Sequence, residues 1–175
     1  FDLSRLVEMV GVLEMPMIKS RGLDFIFKIA PDVPIYLVGD RWKLYRVLLN
    51  LLGNAIKFTE KGYIGIEVTL VEKKRGKATL NFCVFDTGIG IKKELQKKIF
   101  ERFFRVDPSY KGTYDGNGLG LFIAQKYAGL LGAGHIQIDS EEGKGSRFSL
   151  QLSFRICSAE DVVAISPKVK QISAG

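Results

Sequence analysis

Three polar side chains interrupt an otherwise apolar stretch, and their spacing is the first chemical signal in the chain. In DRWKLYRVLLNLLGNAIKFT, Asn50, Asn54 and Lys57 fall at i, i+4 and i+7, so on a helix all three project from one stripe. Asparagine is a poor helix former because its amide competes for the backbone, yet two stand here in mid-helix. Amide oxygens suit a hydrated cation and an ammonium suits an anion, together the needs of a magnesium nucleotide. The plainer alternative is the wet face of a buried helix. A second signal ends ATLNFCVFDTGIGI, where alternation puts Leu80, Phe82, Val84 and Asp86 on one face of a strand. A carboxylate at the end of such an apolar row can accept from an exocyclic amine such as that of adenine. Gly88 and Gly90 would let the backbone pass close to a flat ligand; otherwise Asp86 is a turn or helix-cap aspartate.

A third signal is GNGLGLFIAQ, with Gly116, Gly118 and Gly120 at alternate positions before a helix. Amide donors at such a helix start face phosphate, aided by the dipole; a hinge is the other use of the same glycines. Arg105, in FFRVD, could reach the same phosphates bidentately, or be an ordinary surface arginine. Gly143 and Gly145 in GKGSRFSL are explained by a hairpin turn. A strand, a GxG and a helix occur in the order of a dinucleotide fold, but Lys93 stands where its third glycine belongs, and there is no P-loop pattern.

These residues need a frame, and 175 residues with 46% hydrophobic and 26% charged content supply one ordinary globular domain with short extensions. The net charge of +7 is dispersed over loops and faces without interleaved aromatics, which argues against a nucleic-acid partner. Cys83 and Cys157 have neither metal-type nor disulfide-framework spacing, in keeping with a reducing compartment. No apolar run approaches the ~20 residues of a membrane span, and no signal peptide opens the chain. It begins at FDLSRL without an initiating Met and reads as a piece of a longer protein.

Helical spacing of Leu6, Val7, Val10, Leu13 and Met17 predicts a first helix from about Leu3 to Lys19. Two short strands, LDFIFKIA and IYLVGD, follow around the Pro31 to Pro34 turn, and Asp40 caps the helix of the polar stripe. YIGIEVTLVE and ATLNFCVFD form a hairpin closed by KKRGK. A short helix is predicted from about Lys92 to Phe100, then an aperiodic segment from Glu101 to Asn117, a length usually functional or disordered. Gly118 to Leu131 reads as helix, HIQIDS and SRFSLQLSF as a last hairpin, and residues 157–175 as a linker or tail. Helices interleaved with mostly antiparallel strands point to a two-layer α/β sandwich.

NLLGNAIKFT, DTGIGI, FERFFRVD, GNGLGL and GKGSRF, in that order, resemble the N, G1, F, G2 and G3 boxes of the catalytic ATP-binding domain of sensor histidine kinases. The resemblance spans about Phe1 to Phe154. It implies an α+β fold of the Bergerat type, shared with gyrase, Hsp90 and MutL ATPases. That fold is a mixed, mostly antiparallel sheet of about five strands, covered on one face by about three helices. By position it makes Asn54 the magnesium ligand and sets Asn50 and Lys57 beside the phosphates of ATP. Asp86 becomes the acceptor for the adenine amine, with Gly88, Gly90 and Ile91 lining the base. Arg105 and the segment Gly116, Gly118, Leu119 and Gly120 would close on the phosphates, while Phe100 and Phe104 pack the lid. Asn117 stands where the family often has Thr or Ser, and LLGAGHI is one residue longer than usual.

The implied reaction is transfer of the γ-phosphoryl group to a histidine nitrogen, a chemistry of positioning and charge stabilisation. His135 lies outside any acceptor motif, so the acceptor belongs to a histidine-bearing dimerisation domain elsewhere. The implied setting is cytoplasmic, with a homodimeric parent, a monomeric fragment without membrane contact, and a downstream response-regulator receiver. The alternatives are an ATPase clamp on the same fold or a nucleotide-binding module without catalysis. The clamps carry a water-activating Glu where this chain has Asn50, which cannot serve as a base.

Overall fold

Asp2 opens the first helix, its side chain accepting from the Arg5 amide at 3.0 Å. The computed structural model describes residues 1–105, 118–158 and 161. Helix α1 (Leu3–Ser20) buries Leu3, Leu6, Val7, Val10 and Ile18 on one side. Pro16 sits within it, preceded one turn earlier by the exposed Val12. Gly11 lets the ring of Phe25 against the helix, because an added side chain would begin 2.7 Å from that ring. Phe25 belongs to β1 (Asp24–Ile29), followed by the two-residue β2 (Leu37–Val38).

Asp40 caps α2 (Arg41–Phe58), accepting from the amides of Trp42 and Lys43. Leu44, Val47, Leu48, Leu51, Leu52, Ala55 and Ile56 are buried, and this broad apolar surface makes α2 the central helix of its layer. β3 (Tyr63–Lys74) and β4 (Lys77–Asp86) form the long hairpin. Its two-residue turn, Arg75 and Gly76, takes positive φ at both positions, 51° and 73°. That turn matches the twist of paired strands. After α3 (Gly120–Leu130) come β5 (Gln137–Glu141) and β6 (Gly145–Ile156).

The sheet has six strands in the order β1-β3-β4-β6-β2, with β5 also paired to β6. Only β1 and β3 run parallel; the other pairings are antiparallel. β6 is long enough to serve two partners on one side, β5 at its start and β2 at its end. Alternation sends Ile64, Ile66, Val68, Leu80, Phe82, Val84, Phe148, Leu150, Leu152 and Phe154 into the core under the helices. The expected sandwich is therefore present.

Two expected elements differ. Residues 93–97 are turns and only Lys98–Phe100 is a 3-10 helix. Lys93 and Lys97 repel at helical spacing, and the Gln96 amide is bonded to the carbonyl of Ile91. The third helix begins at Gly120 because Gly118 holds φ of 65°, a left-handed conformation that ends helical continuity.

Candidate functional site

The polar stripe of α2 survives folding. Asn50, Asn54 and Lys57 are half-buried while the opposite side of the helix is sealed. Asn50 spends its Nδ2 on the Arg46 carbonyl one turn back, at 2.7 Å, which is how an asparagine is accommodated in mid-helix. Its Oδ1 then faces the start of α3. A side chain built on Gly120 would begin 3.7 Å from that oxygen and 3.7 Å from both amide atoms of Asn54. Lys57 lays its ammonium 5.1 Å from the centroid of the Phe58 ring.

The C-terminus of α2 is anchored twice. Arg21 donates to the carbonyls of Ile56 and Lys57, both at 3.2 Å, satisfying orphan acceptors of the last turn. Buried Thr59 returns its hydroxyl to the Ala55 carbonyl at 2.7 Å. The Phe58 carbonyl accepts from Ile89 at 3.1 Å, and this bond brings the DTGIGI loop to the helix end.

Asp86 lies at the end of β4 on the inward face, half-buried beyond Val84. Its Oδ1 accepts from the Gly88 amide at 2.8 Å. Burial pushes its carboxyl above the ordinary aspartate range, while bonds from the Gly88 and Ser146 amides pull it back. Gly88 and Gly90 serve the loop itself. A side chain on Gly88 would meet the Phe58 carbonyl, and one on Gly90, at φ 66°, would meet the Glu141 carbonyl. Gly145 is likewise pressed against the Asp86 carbonyl, whereas Gly143 has open space; turn geometry accounts for Gly143 alone. Ile91 is half-buried and packs on the core.

The lid-side residues are partly within view. Phe100 meets Phe148 edge-on at 6.3 Å and Phe104 packs on the core. Phe103 takes φ of 64° and donates its amide to the Gly118 carbonyl at 3.1 Å. A side chain on Gly118 would begin 2.8 Å from the Phe104 carbonyl, so FERFF and the start of GLG are knitted together. Arg105 is exposed beside them, and Leu119 precedes α3 with no side-chain cap. Gly116 and Asn117 lie outside the described residues.

The structure thus brings Asn50, Asn54 and Gly120 to one place and Asp86, Gly88 and the end of α2 to another beside it. Among the described residues no three His, Cys, Asp or Glu side chains gather as a metal cluster. A cavity of about 490 Å³ opens on the helix-free face of the sheet around Ile26, Tyr63, Phe85 and Arg147, and its lining reaches Asp86, Ser140 and Ser146 at the strand ends. Sequence reasoning missed Arg21, Ser140 and Ser146, each tied to a residue distant in sequence, and it gave no role to Thr59, whose bond to Ala55 is local.

The family profile described as histidine kinase-, DNA gyrase B-, and HSP90-like ATPase matches residues 39–156. The hybrid signal transduction protein dokA of Dictyostelium discoideum is 36% identical over 163 residues, 90% of this chain and 10% of that protein. The sensory/regulatory protein RpfC of Xanthomonas campestris pv. campestris is 37% identical over 157 residues, 89% of this chain and 22% of its own length. Among solved structures, full-length ShkA in complex with AMPPNP superposes with a TM-score of 0.76 at 28% identity, covering 91% of this chain and 31% of ShkA. The nucleotide-free catalytic domain of histidine kinase ThkA gives 0.66 at 31% identity, covering 89% of this chain and 95% of that domain. The chain belongs to the histidine kinase-, DNA gyrase B- and HSP90-like ATPase family, on the branch of the histidine kinase catalytic domains. It spans only a small fraction of the curated relatives it matches. No helix among the described residues is long and apolar enough to cross a membrane.

Proposed function

We propose that this chain binds magnesium-ATP between α2 and the segment that leads into α3, and donates the γ-phosphoryl group to a histidine on a separate dimerisation domain of the same parent. The reading is carried by one observation: at one end of the sheet, Asp86 faces inward beside the end of α2, and Asn50 and Asn54 face the start of α3. Asp86 accepts the adenine amine, with Gly88, Gly90 and Ile91 along the base. Asn54 ligates magnesium through its amide oxygen. Asn50, Lys57 and Arg105 attend the phosphates, and Gly116, Gly118, Leu119 and Gly120 fold over them. The ion shields the phosphate charges when bound; the protein contributes position and donors.

Asn50 favours transfer over hydrolysis, since an amide cannot take a proton from water. His135 is exposed just before β5 and is not the acceptor in this reading. Residues 1–156 form the catalytic domain and 157–175 a linker or tail that in a hybrid parent leads toward a receiver. In this reading the chain is a cytoplasmic portion of a homodimeric sensor kinase, membrane-anchored or not, and the fragment by itself is a monomer. Titration with ATP, with and without magnesium, tests the pocket: binding should be strong only for wild type, and equal binding by Asp86→Asn and Asn54→Ala would sink the assignment. Mixing the chain with the parent's histidine-bearing helical domain and labelled ATP tests the transfer. Acid-labile, base-stable label on that domain is expected; rapid hydrolysis without label would favour an ATPase clamp.

A further inference from the structure

A polar row at the ends of β4, β6 and β5 continues past Asp86 to groups that the proposed chemistry leaves unused. Asp86 stands opposite Ser146, and Ser146 opposite Ser140, on three adjacent strands. Ser146 is only 6% exposed, and its hydroxyl lies 2.9 Å from that of Ser140. Ser140 Oγ accepts the Ile91 amide at 2.9 Å and lies 3.0 Å from the Gly145 carbonyl. Gln96 completes the circuit: its Nε2 donates to the carbonyls of Ile91 and Ser140, both at 2.9 Å. Both hydrogens of one amide nitrogen are therefore used, and a carboxylate in its place would face two carbonyl oxygens.

We propose that Gln96 is a positioning residue of the nucleotide site, holding Ile91 and, through Ser140 and Ser146, Asp86 in place against the base. The proposal rests on the adenine-nucleotide reading above. Its physical ground is that residues 93–97 are turns and not a helix, so side-chain ties set where this segment lies. Gln96 joins it to β5 while Phe100, one turn on, joins it to β6 through Phe148. The clamp acts at the base end of the ligand. Affinity for the adenine ring should depend on it, and the added contribution of the γ-phosphate should not.

The test is equilibrium titration of the whole chain with ATP, ADP and GTP in magnesium, for wild type, Gln96→Ala, Ser140→Ala, Gln96→Glu and a control, Gln137→Ala. Gln137 is exposed and donates to the His135 carbonyl. Gln96→Ala and Ser140→Ala should weaken ATP and ADP alike by about tenfold, the scale of one or two lost hydrogen bonds. The preference for ATP over GTP should narrow while the ratio of ATP to ADP affinity stays constant, and the control should match wild type. Gln96→Glu should bind worse than Gln96→Ala at pH 8. Relative to wild type it should recover at pH 5, where a protonated carboxyl can donate again. Ser140→Ala removes a single hydroxyl and decides the matter if Gln96→Ala does not fold. Wild-type affinity and base preference in Gln96→Ala, or a wild-type pH profile in Gln96→Glu, would overturn the clamp alone. Absence of any ATP-over-GTP preference in wild type would overturn the pocket reading and the clamp with it.

Discussion

Asp86 carries opposing demands. Burial favours its neutral form, while amide donors from Gly88 and Ser146 favour the carboxylate, and burial prevails. A folded-state pKa above the unfolded one means that the native chain holds its proton more tightly. Stability from this group is therefore present at low pH and lost as pH rises from the unfolded value through the raised one. Asp86→Asn removes that loss and keeps an oxygen for the Gly88 amide, so its thermal midpoint at pH 7 should equal or exceed that of wild type. Binding moves the other way. Losing a charged acceptor for the adenine amine should weaken ATP about 10- to 100-fold, as read by calorimetry. In wild type, affinity should decline on acidification at a higher pH than an ordinary aspartate would give. A variant that melts earlier and binds unchanged would contradict both halves.

At the scale of elements, α2 is placed as much by its ends as by its apolar side. Arg21, just past α1, holds the last carbonyls of α2, and Arg21→Ala should lower stability by about 1–3 kcal/mol, the range for hydrogen bonds to a charged donor. Urea unfolding would measure it, and the site should loosen in parallel because Lys57 sits on that turn. Gly90 is the stricter position. Its φ of 66° and its contact with the Glu141 carbonyl both exclude a side chain. Gly90→Ala should cost about 3 kcal/mol, adding left-handed strain to a backbone clash. An alanine tolerated there at full stability would mean that the β5–β6 hairpin does not abut the loop as described.

For the whole molecule, β6 is the last strand among the described residues, and the chain is tied slightly further on. Arg155 forms a bidentate pair with Asp161 at 2.7 and 2.8 Å, and Ser158 exchanges bonds with the same aspartate. The Asp161 carboxyl is held well below the usual range by that guanidinium and the Ser158 donors. Both partners stand at the surface, where an ion pair contributes little to folding. Truncation after Ser158 should therefore leave the melting midpoint and ATP affinity unchanged. A marked loss of either would move the domain boundary beyond residue 156.

The apolar periodicities of α1 and α2, the alternation in β3, β4 and β6, and the Asp40 cap were legible in the amino acids, because each is written in neighbours within one or two turns. So was the candidate site as a set of boxes: Asn50, Asn54, Asp86 and the glycines stand at spacings that imply their use. The turns at 93–97 were not legible, since one of the two Gln96 bonds that fix the segment runs to Ser140 on β5, 44 residues away. Nor could the sequence show that Gly88, Gly90 and Gly145 each press against a neighbouring backbone, on the Phe58, Glu141 and Asp86 carbonyls, because those neighbours come together only when the strands pack. What the chain determines alone is the order of its polar stripe, acidic strand end and glycine segments. That Gly120 comes to lie against Asn50 and Asn54, and Ser146 against Asp86, is decided by the sheet and helices closing on one core, which converts distances in sequence into contacts in space.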